Sequence, residues 1–179
     1  QIKQGEILGF YGLVGAGRTE LVNSIFEGVN KFTSGEVYLH GQKIEIKSTS
    51  DAVKHGIALI TEDRKGNGLV LNHSINDNLT APSLPTLTKK FGVLDFEEEA
   101  KRNGAMIKQL EVRISTKRQT ASSLSGGNQQ KVVVGKWLLT DPKVLILDEP
   151  TKGIDVGTKA EIYKKLRKLA EQGIAILIV

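Results

Sequence analysis

The sequence predicts an α/β fold in which a mostly parallel sheet is flanked by helices. Four short apolar runs have the composition of buried strands, and they occupy residues 5–11, 57–60, 143–148 and 173–179. Stretches with the apolar spacing of helices separate several of these runs. Because strand, loop, helix and strand alternate along the chain, we expect parallel strands with helices packed on the sheet.

The first third of the chain carries short elements between its two buried strands. A glycine-rich loop follows residues 5–11, and a helix is predicted after it because apolar residues recur at i, i+1, i+4 and i+5. The expected elements are a helix through Leu21, Val22, Ile25 and Phe26, a hairpin formed by 35–41 and 43–46, and a short helix capped by Asp51 and ending near His55.

The middle of the chain, residues 72–122, shows no strong strand pattern and is predicted to be a helical subdomain. A helix over 76–81 is stopped by the prolines that follow, and a longer helix is expected over 95–110. The subdomain would be carried on an α/β core made of residues 1–71 and 123–179. A chain of 179 residues is long enough for one such domain and too short for two ordinary ones.

The last third returns to the α/β pattern. A helix is predicted over 128–139 and ends before a proline, a buried strand follows over 143–148, and an amphipathic helix spans 157–171. The final apolar run reaches the last residue, and the first residue lies just upstream of a strand. We therefore expect a domain that is truncated at both ends.

Composition narrows the classes of function. The chain has 25 Lys and Arg against 20 Asp and Glu, and it has no cysteine, which excludes disulfides and thiolate zinc sites. No run reaches the roughly 18 apolar residues of a membrane span. Acidic and basic residues are interleaved at helical spacing over 159–171, as on a solvated helix face. The few aromatic residues form no paired stacking motif, so we expect no nucleic-acid partner.

Residues 12–19 have the P-loop spacing G-x-x-x-x-G-K-[ST], with Arg18 in the lysine position. The glycines let successive backbone N–H groups surround a phosphate, and the start of the next helix adds a positive dipole end. Thr19 would place its hydroxyl on Mg²⁺. A plain glycine-rich turn is the alternative. The candidate nucleotide-binding residues are Gly12, Gly15, Ala16, Gly17, Arg18, Thr19 and Glu20.

Two residues of this loop predict weakened nucleotide binding. The planar guanidinium of Arg18 fits less well between terminal phosphates than a compact ammonium. Glu20 adds a carboxylate, and like charges about 6 Å apart repel by roughly 3 kcal/mol at an effective dielectric of about 20. Without compensation, this repulsion would weaken binding on the order of a hundredfold. We expect a degenerate P-loop that still binds nucleotide.

Residues 144–150 have the Walker B pattern, an apolar strand that ends in two acids. The strand would deliver Asp148 to the phosphate site, where it can hold Mg²⁺ through water. Glu149 would then polarise the attacking water as the catalytic general base. The alternative is a buried strand capped by acids in a turn, and the P-loop upstream makes it less favoured.

Residues 124–131, Leu-Ser-Gly-Gly-Asn-Gln-Gln-Lys, form the most specific string in the chain. Ser125 and the two glycines after it lie where a helix is expected to begin, so they would offer a hydroxyl and free N–H groups to a phosphate. The alternative is a simple N-cap followed by a flexible hinge. The position of this string, shortly before the Walker B strand, favours the phosphate role.

These strings together resemble an ATP-binding cassette ATPase, and the resemblance extends over nearly the whole chain. The string at 124–127, the Walker B with its glutamate, and residues 150–157 carry it. Residues 12–20, 61–65 and 128–131 narrow it further. They resemble the second, C-terminal cassette of bacterial sugar-importer ATPases of the ribose, xylose and galactose group.

The resemblance implies that two cassettes of one polypeptide meet head to tail around ATP and Mg²⁺. Each ATP would lie between the P-loop of one cassette and the signature of the other, so Arg18 and Glu20 would belong to the degenerate site. Asp155 would lie in the D-loop, which touches the partner. The signature residues expected to serve the partner's ATP are Ser125, Gly126, Gly127, Asn128, Gln129 and Gln130.

Glu62 stands where cassettes usually carry the Q-loop glutamine, which contacts Mg²⁺ and responds to the membrane subunits. A carboxylate can also ligate Mg²⁺, so the expected metal ligands are Thr19, Asp148 and Glu62. A surface turn over residues 61–64 is the alternative.

The resemblance further implies an ATPase that energises monosaccharide import from the cytoplasmic face of a bacterial membrane. Its partners would be a second cassette, the transmembrane permease subunits and, indirectly, a sugar-binding protein. A nucleoside importer, a DNA-repair or chromosome-maintenance ATPase head, and a nucleotide-free docking module are the alternatives. No sustained heptads of the kind found in the DNA-repair heads occur between Glu62 and Ser125.

Overall fold

The computed structural model describes residues 1–13, 15–28 and 34–179, so Val14 of the P-loop lies outside the described residues. The strands are β1 (Ile7–Gly9), β2 (Val37–Leu39), β3 (Gln42–Ile44), β4 (Ile57–Ile60), β5 (Val144–Leu147) and β6 (Ala175–Ile178). Four of them form a sheet in the order β1-β6-β5-β4, and every pairing in it is parallel. The other two form the predicted antiparallel hairpin. The predicted parallel α/β fold is confirmed.

Helices cover the sheet and fill the middle of the chain. They are α1 (Arg18–Glu27), α2 (Thr49–Lys54), α3 (Ile75–Thr80), α4 (Leu84–Leu87), α5 (Phe96–Leu110), α6 (Gly126–Leu138) and α7 (Val156–Glu171). Short 3-10 turns span Ala81–Ser83, Lys90–Gly92 and Ala121–Ser123, and a π-helical turn spans Arg64–Gly68. Within the described ranges, no helix combines the length and the apolar character needed to cross a membrane.

Side-chain caps explain where two helices begin, and they correct two predictions. Ser48 caps α2, because its Oγ accepts a hydrogen bond from the N–H of Asp51 at 3.2 Å. The prediction that Asp51 is the cap was therefore wrong. Similarly, α6 begins at Gly126 and not at residue 128, because Ser125 is the N-cap residue.

The centre of the sheet, β5, separates two apolar clusters. Leu145 and Leu147 lie in one cluster and Ile146 lies in the other, as the alternation of side chains along a strand requires. The first cluster also contains Leu79 of α3 and Met106 of α5. The helical middle of the chain therefore shares its core with the sheet.

A glycine allows the close contact between α6 and the helical middle. A Cβ at Gly135 would come within 3.0–3.1 Å of side-chain atoms of Met106, Leu110 and Leu79. A glycine inside a helix costs about 1 kcal/mol relative to alanine. The close packing of α6 on α3 and α5 offsets that cost.

A buried polar network joins α3 to α5, the two helices against which α6 packs. Asn103 of α5 has no exposed surface, and its Nδ2 donates to Asn76 Oδ1 at 2.9 Å and to Thr80 Oγ1 at 2.8 Å. Thr80 in turn donates to Glu99 Oε1 at 2.6 Å. These bonds tie α3 to α5 in one orientation, because a slipped register would leave buried polar groups unpaired.

The mixed charges predicted for a solvated helix face lie on α7. Ile162, Leu166 and Leu169 of this helix are buried, whereas most of its charged residues are exposed. Glu161 is different, because its carboxylate accepts a hydrogen bond at 2.8 Å from the ammonium of Lys131, which is 6% exposed. This ion pair joins α7 to α6.

Lys136 of α6 makes the stability of the fold change with pH in the alkaline range. Burial lowers the pKa of its ammonium to about 8, although the group donates to the carbonyl of Gly68 and lies 5.2 Å from the Trp137 ring centroid. An unfolded lysine titrates near 10.4. The unfolded chain therefore binds more protons than the folded chain between these two pH values, and stability rises with pH across that interval.

We expect this rise to be lost when Lys136 is replaced by methionine. In urea titrations, the free energy of unfolding should rise between pH 7.5 and 10 by about 2 kcal/mol more in the wild type than in Lys136→Met. Lys108→Met, which removes an exposed lysine from α5, should keep the wild-type pH dependence. Equal pH dependence in the wild type and Lys136→Met would contradict the expectation.

Candidate nucleotide site

The glycine-rich loop between β1 and α1 has the backbone shape that phosphate binding requires. Gly15 and Gly17 have φ angles of 81° and 78°, in the left-handed region that glycine adopts without strain. Leu13 O accepts a hydrogen bond from Ala16 N at 3.1 Å. Among the described residues, no side chain caps the start of α1, so its first N–H groups are available to an anion.

Arg18 lies along this loop. A Cβ at Gly12 would come within 3.4 Å of the Arg18 Cδ and 3.5 Å of the Ala16 Cβ, so glycine at position 12 leaves room for both side chains. Glu20 lies in the exposed first turn of α1. Solvent screens an exposed charge, so its repulsion of phosphate falls well below the hundredfold effect derived for an unscreened pair.

Asp148 follows β5 directly and is 3% exposed. Burial raises the pKa of its carboxyl group, and the hydrogen bond from the Thr19 hydroxyl partly offsets this rise. The nearby charges of Glu62 and Glu149 also raise the pKa of Asp148, whereas Arg18 lowers it. The structure thus brings the P-loop threonine, the Walker B acid and the Q-loop acid together.

Glu149 is held in an unusual backbone conformation. Its φ angle is 42°, in the left-handed region, which costs a non-glycine residue about 1–2 kcal/mol. Its N–H donates to Val179 O at 3.1 Å, and its carbonyl accepts from Lys152 N at 3.1 Å. The side chain that this strained turn carries is 41% exposed.

Lys152 is the cation nearest to these acids on the following loop. Its ammonium forms an ion pair with Glu62 and lies 3.6 Å from Glu149 Oε2. The hydrogen bond to Glu62 raises the pKa of Lys152, so the ammonium stays charged at neutral pH. One lysine therefore links the Q-loop position to the second Walker B acid.

The donor set fits Mg²⁺ held jointly with a nucleotide. Among the described residues, no three His, Asp or Glu side chains converge as a ready-made metal site. Mg²⁺ needs no such cluster, because it is usually bound by one or two carboxylates together with phosphate oxygens and water. The Thr19 hydroxyl and the Asp148 carboxylate are oxygen donors of this kind.

A cavity of about 690 Å³ opens beside these residues. Its lining includes the polar residues Thr19, Glu62 and Asp148 and the aromatic residues Phe26 and Trp137. The two aromatic rings pack edge to face with centroids 5.3 Å apart. The cavity therefore connects the acids of the site to the contact between α1 and α6.

The signature string forms a second, separate face. Ser125 is exposed at the start of α6, and its Oγ accepts from the N–H of Asn128 at 3.4 Å and from the Asn128 Nδ2 at 3.1 Å. A Cβ at Gly127 would lie 2.7 Å from the Thr158 Cγ2, so glycine there permits the crossing of α6 and α7. The serine hydroxyl thus faces outward from a tightly packed helix start.

Asp155 brings a second helix start to the same face. It caps α7 by accepting from Thr158 N at 2.9 Å, and this backbone hydrogen bond holds its pKa below the usual range. Together with Ser125, Asn128 and Arg113, it lines a cavity of about 340 Å³. The two helix N-termini and the basic side chains of Arg113 and Lys131 favour an anion in this cavity, which the carboxylates of Asp155 and Glu161 also line.

Gln129 and Gln130 do not share this outward position. They are 4% and 3% exposed, and Gln129 donates from Nε2 to Ala121 O at 3.1 Å. Because both side chains lie in the interior of their own chain, their predicted service to the partner's ATP would act through the position of α6. Their buried side chains help to hold the start of α6 in place.

The comparisons with known proteins agree with this geometry. A family model described as ABC transporter matches residues 1–152. The chain belongs to this family. The matched range contains the P-loop, the signature and the Walker B strand.

Curated relatives cover the whole chain but extend beyond it. A ribose import ATP-binding protein of Bacillus cereus is 51% identical over 179 residues, which is 100% of this chain and 36% of the relative. A xylose import ATP-binding protein of Thermoanaerobacter pseudethanolicus is 50% identical over 177 residues, which is 99% of this chain and 35% of the relative. The chain thus spans about a third of the length of these relatives.

Solved structures confirm the cassette fold. The ATP-binding cassette MJ0796, as a dimer in a post-hydrolysis state bound to ADP and Pi, matches with a TM-score of 0.79 at 27% identity. The match covers 100% of this chain and 76% of that one. The cbiO1 protein of Clostridium perfringens matches with a TM-score of 0.77 at 27% identity, covering 99% of this chain and 68% of that one.

Three cationic residues of this cassette were missed as site residues by sequence reasoning. Arg64 and Lys152 stand inside the strings that narrowed the resemblance, yet no role followed from their positions. Arg113 lies outside every motif and reaches the signature cavity because its backbone N–H donates to Asn128 Oδ1 at 2.9 Å. A charged residue inside a glycine-rich or proline-flanked turn is the signal that could have identified the first two.

Proposed function

We propose that this chain is an ATP-binding and ATP-hydrolysing cassette that energises import of a monosaccharide across a bacterial cytoplasmic membrane. The observation that carries the proposal is the separation of two phosphate-suited faces on one domain. The 690 Å³ cavity beside Thr19 and Asp148 and the 340 Å³ cavity beside Ser125 share no lining residue. A domain with two such half-sites is suited to share each nucleotide with a second cassette.

The division of labour follows from the two faces. In the chain's own degenerate site, the P-loop and Arg18 bind the phosphates of ATP, while Thr19, Asp148 and Glu62 hold Mg²⁺, which neutralises phosphate charge when bound. Glu149 acts as general base on the attacking water. On the other face, Ser125 and the N–H groups of Gly126 and Gly127 bind the ATP held by the partner's P-loop. Asn128 orients the Ser125 hydroxyl, and Asp155 touches the partner.

The remaining proposed partners rest on the functions of the relatives. The two relatives described are import ATP-binding proteins for ribose and xylose, and their similarity over nearly all of this chain supports a sugar as cargo. We propose transmembrane permease subunits as further partners, with the 690 Å³ cavity next to Glu62 as the place where their contact reaches the site. A sugar-binding protein would act through those subunits. The domain would lie at the cytoplasmic face of the membrane.

Mixing experiments test the proposal. The chain is purified and combined with a separately purified N-terminal cassette of the sugar-importer type, and phosphate release from ATP is measured for each alone and for the mixture. We expect slow turnover by the chain alone and at least tenfold stimulation in the mixture, because each composite site needs both proteins. Equal rates with and without the partner would contradict a shared site.

The same samples separate the alternatives. If the mixture is stimulated although the chain alone does not retain ATP, the result would favour a docking module that contributes only its signature. Salt-dependent binding of the chain to DNA would favour a DNA-repair or chromosome-maintenance ATPase head. Reconstitution with permease subunits and transport of labelled ribose, xylose or nucleoside would distinguish a sugar importer from a nucleoside importer.

The degenerate P-loop gives a prediction on nucleotide affinity. Restoring lysine in Arg18→Lys should tighten ATP binding by about tenfold, because a compact ammonium fits between terminal phosphates. Glu20→Gln should add only about threefold, because its charge is exposed and screened. Isothermal calorimetry with ATP and Mg²⁺ measures both, and Glu171→Gln, which removes an exposed charge at the end of α7, is the control. An unchanged affinity in Arg18→Lys would refute the argument from cation shape.

A further inference from the structure

The Arg64 side chain connects the start of α6, which follows Ser125, with the loop that leads to Asp155. Arg64 opens the π-helical turn after β4, and its Nη1 donates to the carbonyl of Lys152 at 2.8 Å. Its Nη2 donates to the carbonyl of Gly153 at 3.4 Å, and its Nε donates to the Gln129 Oε1 at 3.4 Å. One side chain therefore contacts both the loop between β5 and α7 and the first turns of α6.

The acceptors of Arg64 are themselves fixed. Gln129 is 4% exposed and donates to Ala121 O, so its Oε1 is held toward the guanidinium. A Cβ at Gly126 would lie 2.8 Å from the Arg64 Nη2 and 3.5 Å from the carbonyl of Gly153. Gly126 therefore has a packing role besides any phosphate contact, because any larger residue would push the guanidinium and the loop away.

The geometry requires an arginine and not merely a positive charge. The guanidinium carries several N–H donors in a rigid planar fork, and it can serve two successive carbonyls and an amide oxygen at once. A lysine ammonium is a single point on a flexible stem. It can keep the charge but cannot bridge both segments with the same geometry.

A second link joins the same turn to the same loop on the exposed side. Glu62 forms an ion pair with Lys152, whose side chain is 57% exposed. Solvent competes with a pair this exposed, so it contributes little rigidity. Arg64 is only partly exposed and donates to three uncharged acceptors, of which the Gln129 amide belongs to a buried residue. It is therefore the stronger of the two connections.

We propose that Arg64 is a positioning residue that holds the start of α6, with Ser125, and the loop that ends at Asp155 in one fixed arrangement. The inference rests on the proposed function, in which both of these residues face the partner cassette. Both line the 340 Å³ cavity, whereas Arg64 is not among the lining residues. It acts through the backbone of the loop and through Gln129.

The test uses Arg64→Ala and Arg64→Lys, with Lys65→Ala as the matched control that removes a neighbouring exposed positive charge. Both Arg64 variants should lower partner-stimulated kcat by about tenfold, because small misplacements of binding groups cost this much or more. The affinity of the chain alone for a fluorescent ATP analogue should stay within about twofold of wild type, since the P-loop lies elsewhere. Lys65→Ala should behave as wild type in both assays.

Hydrogen exchange on the chain alone supplies a readout that needs no partner. In both Arg64 variants, amides of residues 125–128 and 153–156 should exchange faster, while those of α5 keep their wild-type rates. Unchanged exchange in either segment would overturn the proposal, as would full turnover in Arg64→Lys. If Arg64→Ala does not fold, Arg64→Lys decides. A wild-type chain that no partner stimulates would instead refute the proposed function, while the exchange rates still decide the role of Arg64.

Discussion

Replacing Ser125 with alanine is expected to lower partner-stimulated ATP turnover by about 10- to 100-fold. The Oγ of Ser125 already accepts hydrogen bonds from the N–H and the Nδ2 of Asn128, so its hydroxyl proton is left to point outward. In the proposed composite site, that proton is donated to the partner's ATP. Steady-state phosphate release at saturating partner measures the loss.

A matched control separates this chemistry from helix stability. Ser125→Ala also removes an N-cap, which costs about 0.5–2 kcal/mol. Ser48→Ala removes the same kind of cap from α2, where Ser48 Oγ accepts from Asp51 N. We expect Ser48→Ala to keep its partner-stimulated turnover although its thermal midpoint falls. If the two variants lost turnover equally, the effect of Ser125→Ala would come from stability alone.

The sheet and the P-loop were predictable from the sequence because their signals are local. The run at residues 144–147 is apolar at every position, which is typical of a strand buried on both faces. Glycines spaced as in residues 12–17 likewise specify a backbone that other residues adopt only with strain. Such signals need no knowledge of distant contacts.

The helix starts and the exposed residues were harder to predict, because one sequence motif can contain both exposed and buried side chains. The motif at 124–131 groups Ser125, Asn128, Gln129 and Gln130 as neighbours in sequence. An α-helix turns 100° per residue, so the first two lie outward while both glutamines lie in the interior. The sequence match therefore identified the correct segment but did not separate its exposed residues from its buried ones.

The cationic links were missed for a different reason. Arg64 donates to a carbonyl 88 residues away, and Lys152 pairs with an acid 90 residues away. Both contacts exist only because parallel β4 and β5 place their carboxyl ends side by side. A single sequence carries no direct record of that juxtaposition, so the structure was needed to find the residues that join the two loops.

Asp148→Asn is expected to stabilise the chain while it weakens Mg²⁺-dependent ATP binding by about 10- to 100-fold. Burial raises the pKa of Asp148, so folding favours the protonated carboxyl group. The stability contributed by this group is complete below the unfolded pKa and is lost as pH rises through the folded pKa. A neutral amide avoids that loss at pH 7 and still accepts a hydrogen bond from Thr19.

Thermal unfolding at pH 7 should show a midpoint about 2–6 °C higher for Asp148→Asn, and the gain should shrink as the pH is lowered toward 4. Asp141→Asn is the control, because the Asp141 side chain is 87% exposed and its φ of 53° suits asparagine equally well. Calorimetry with ATP should show that its nucleotide binding is unchanged. A variant Asp148→Asn that is less stable than wild type would mean that the carboxylate is a net stabilising group in the nucleotide-free chain. In that case, the hydrogen bond from Thr19, and not Mg²⁺ binding, would explain why an acid occupies this buried position.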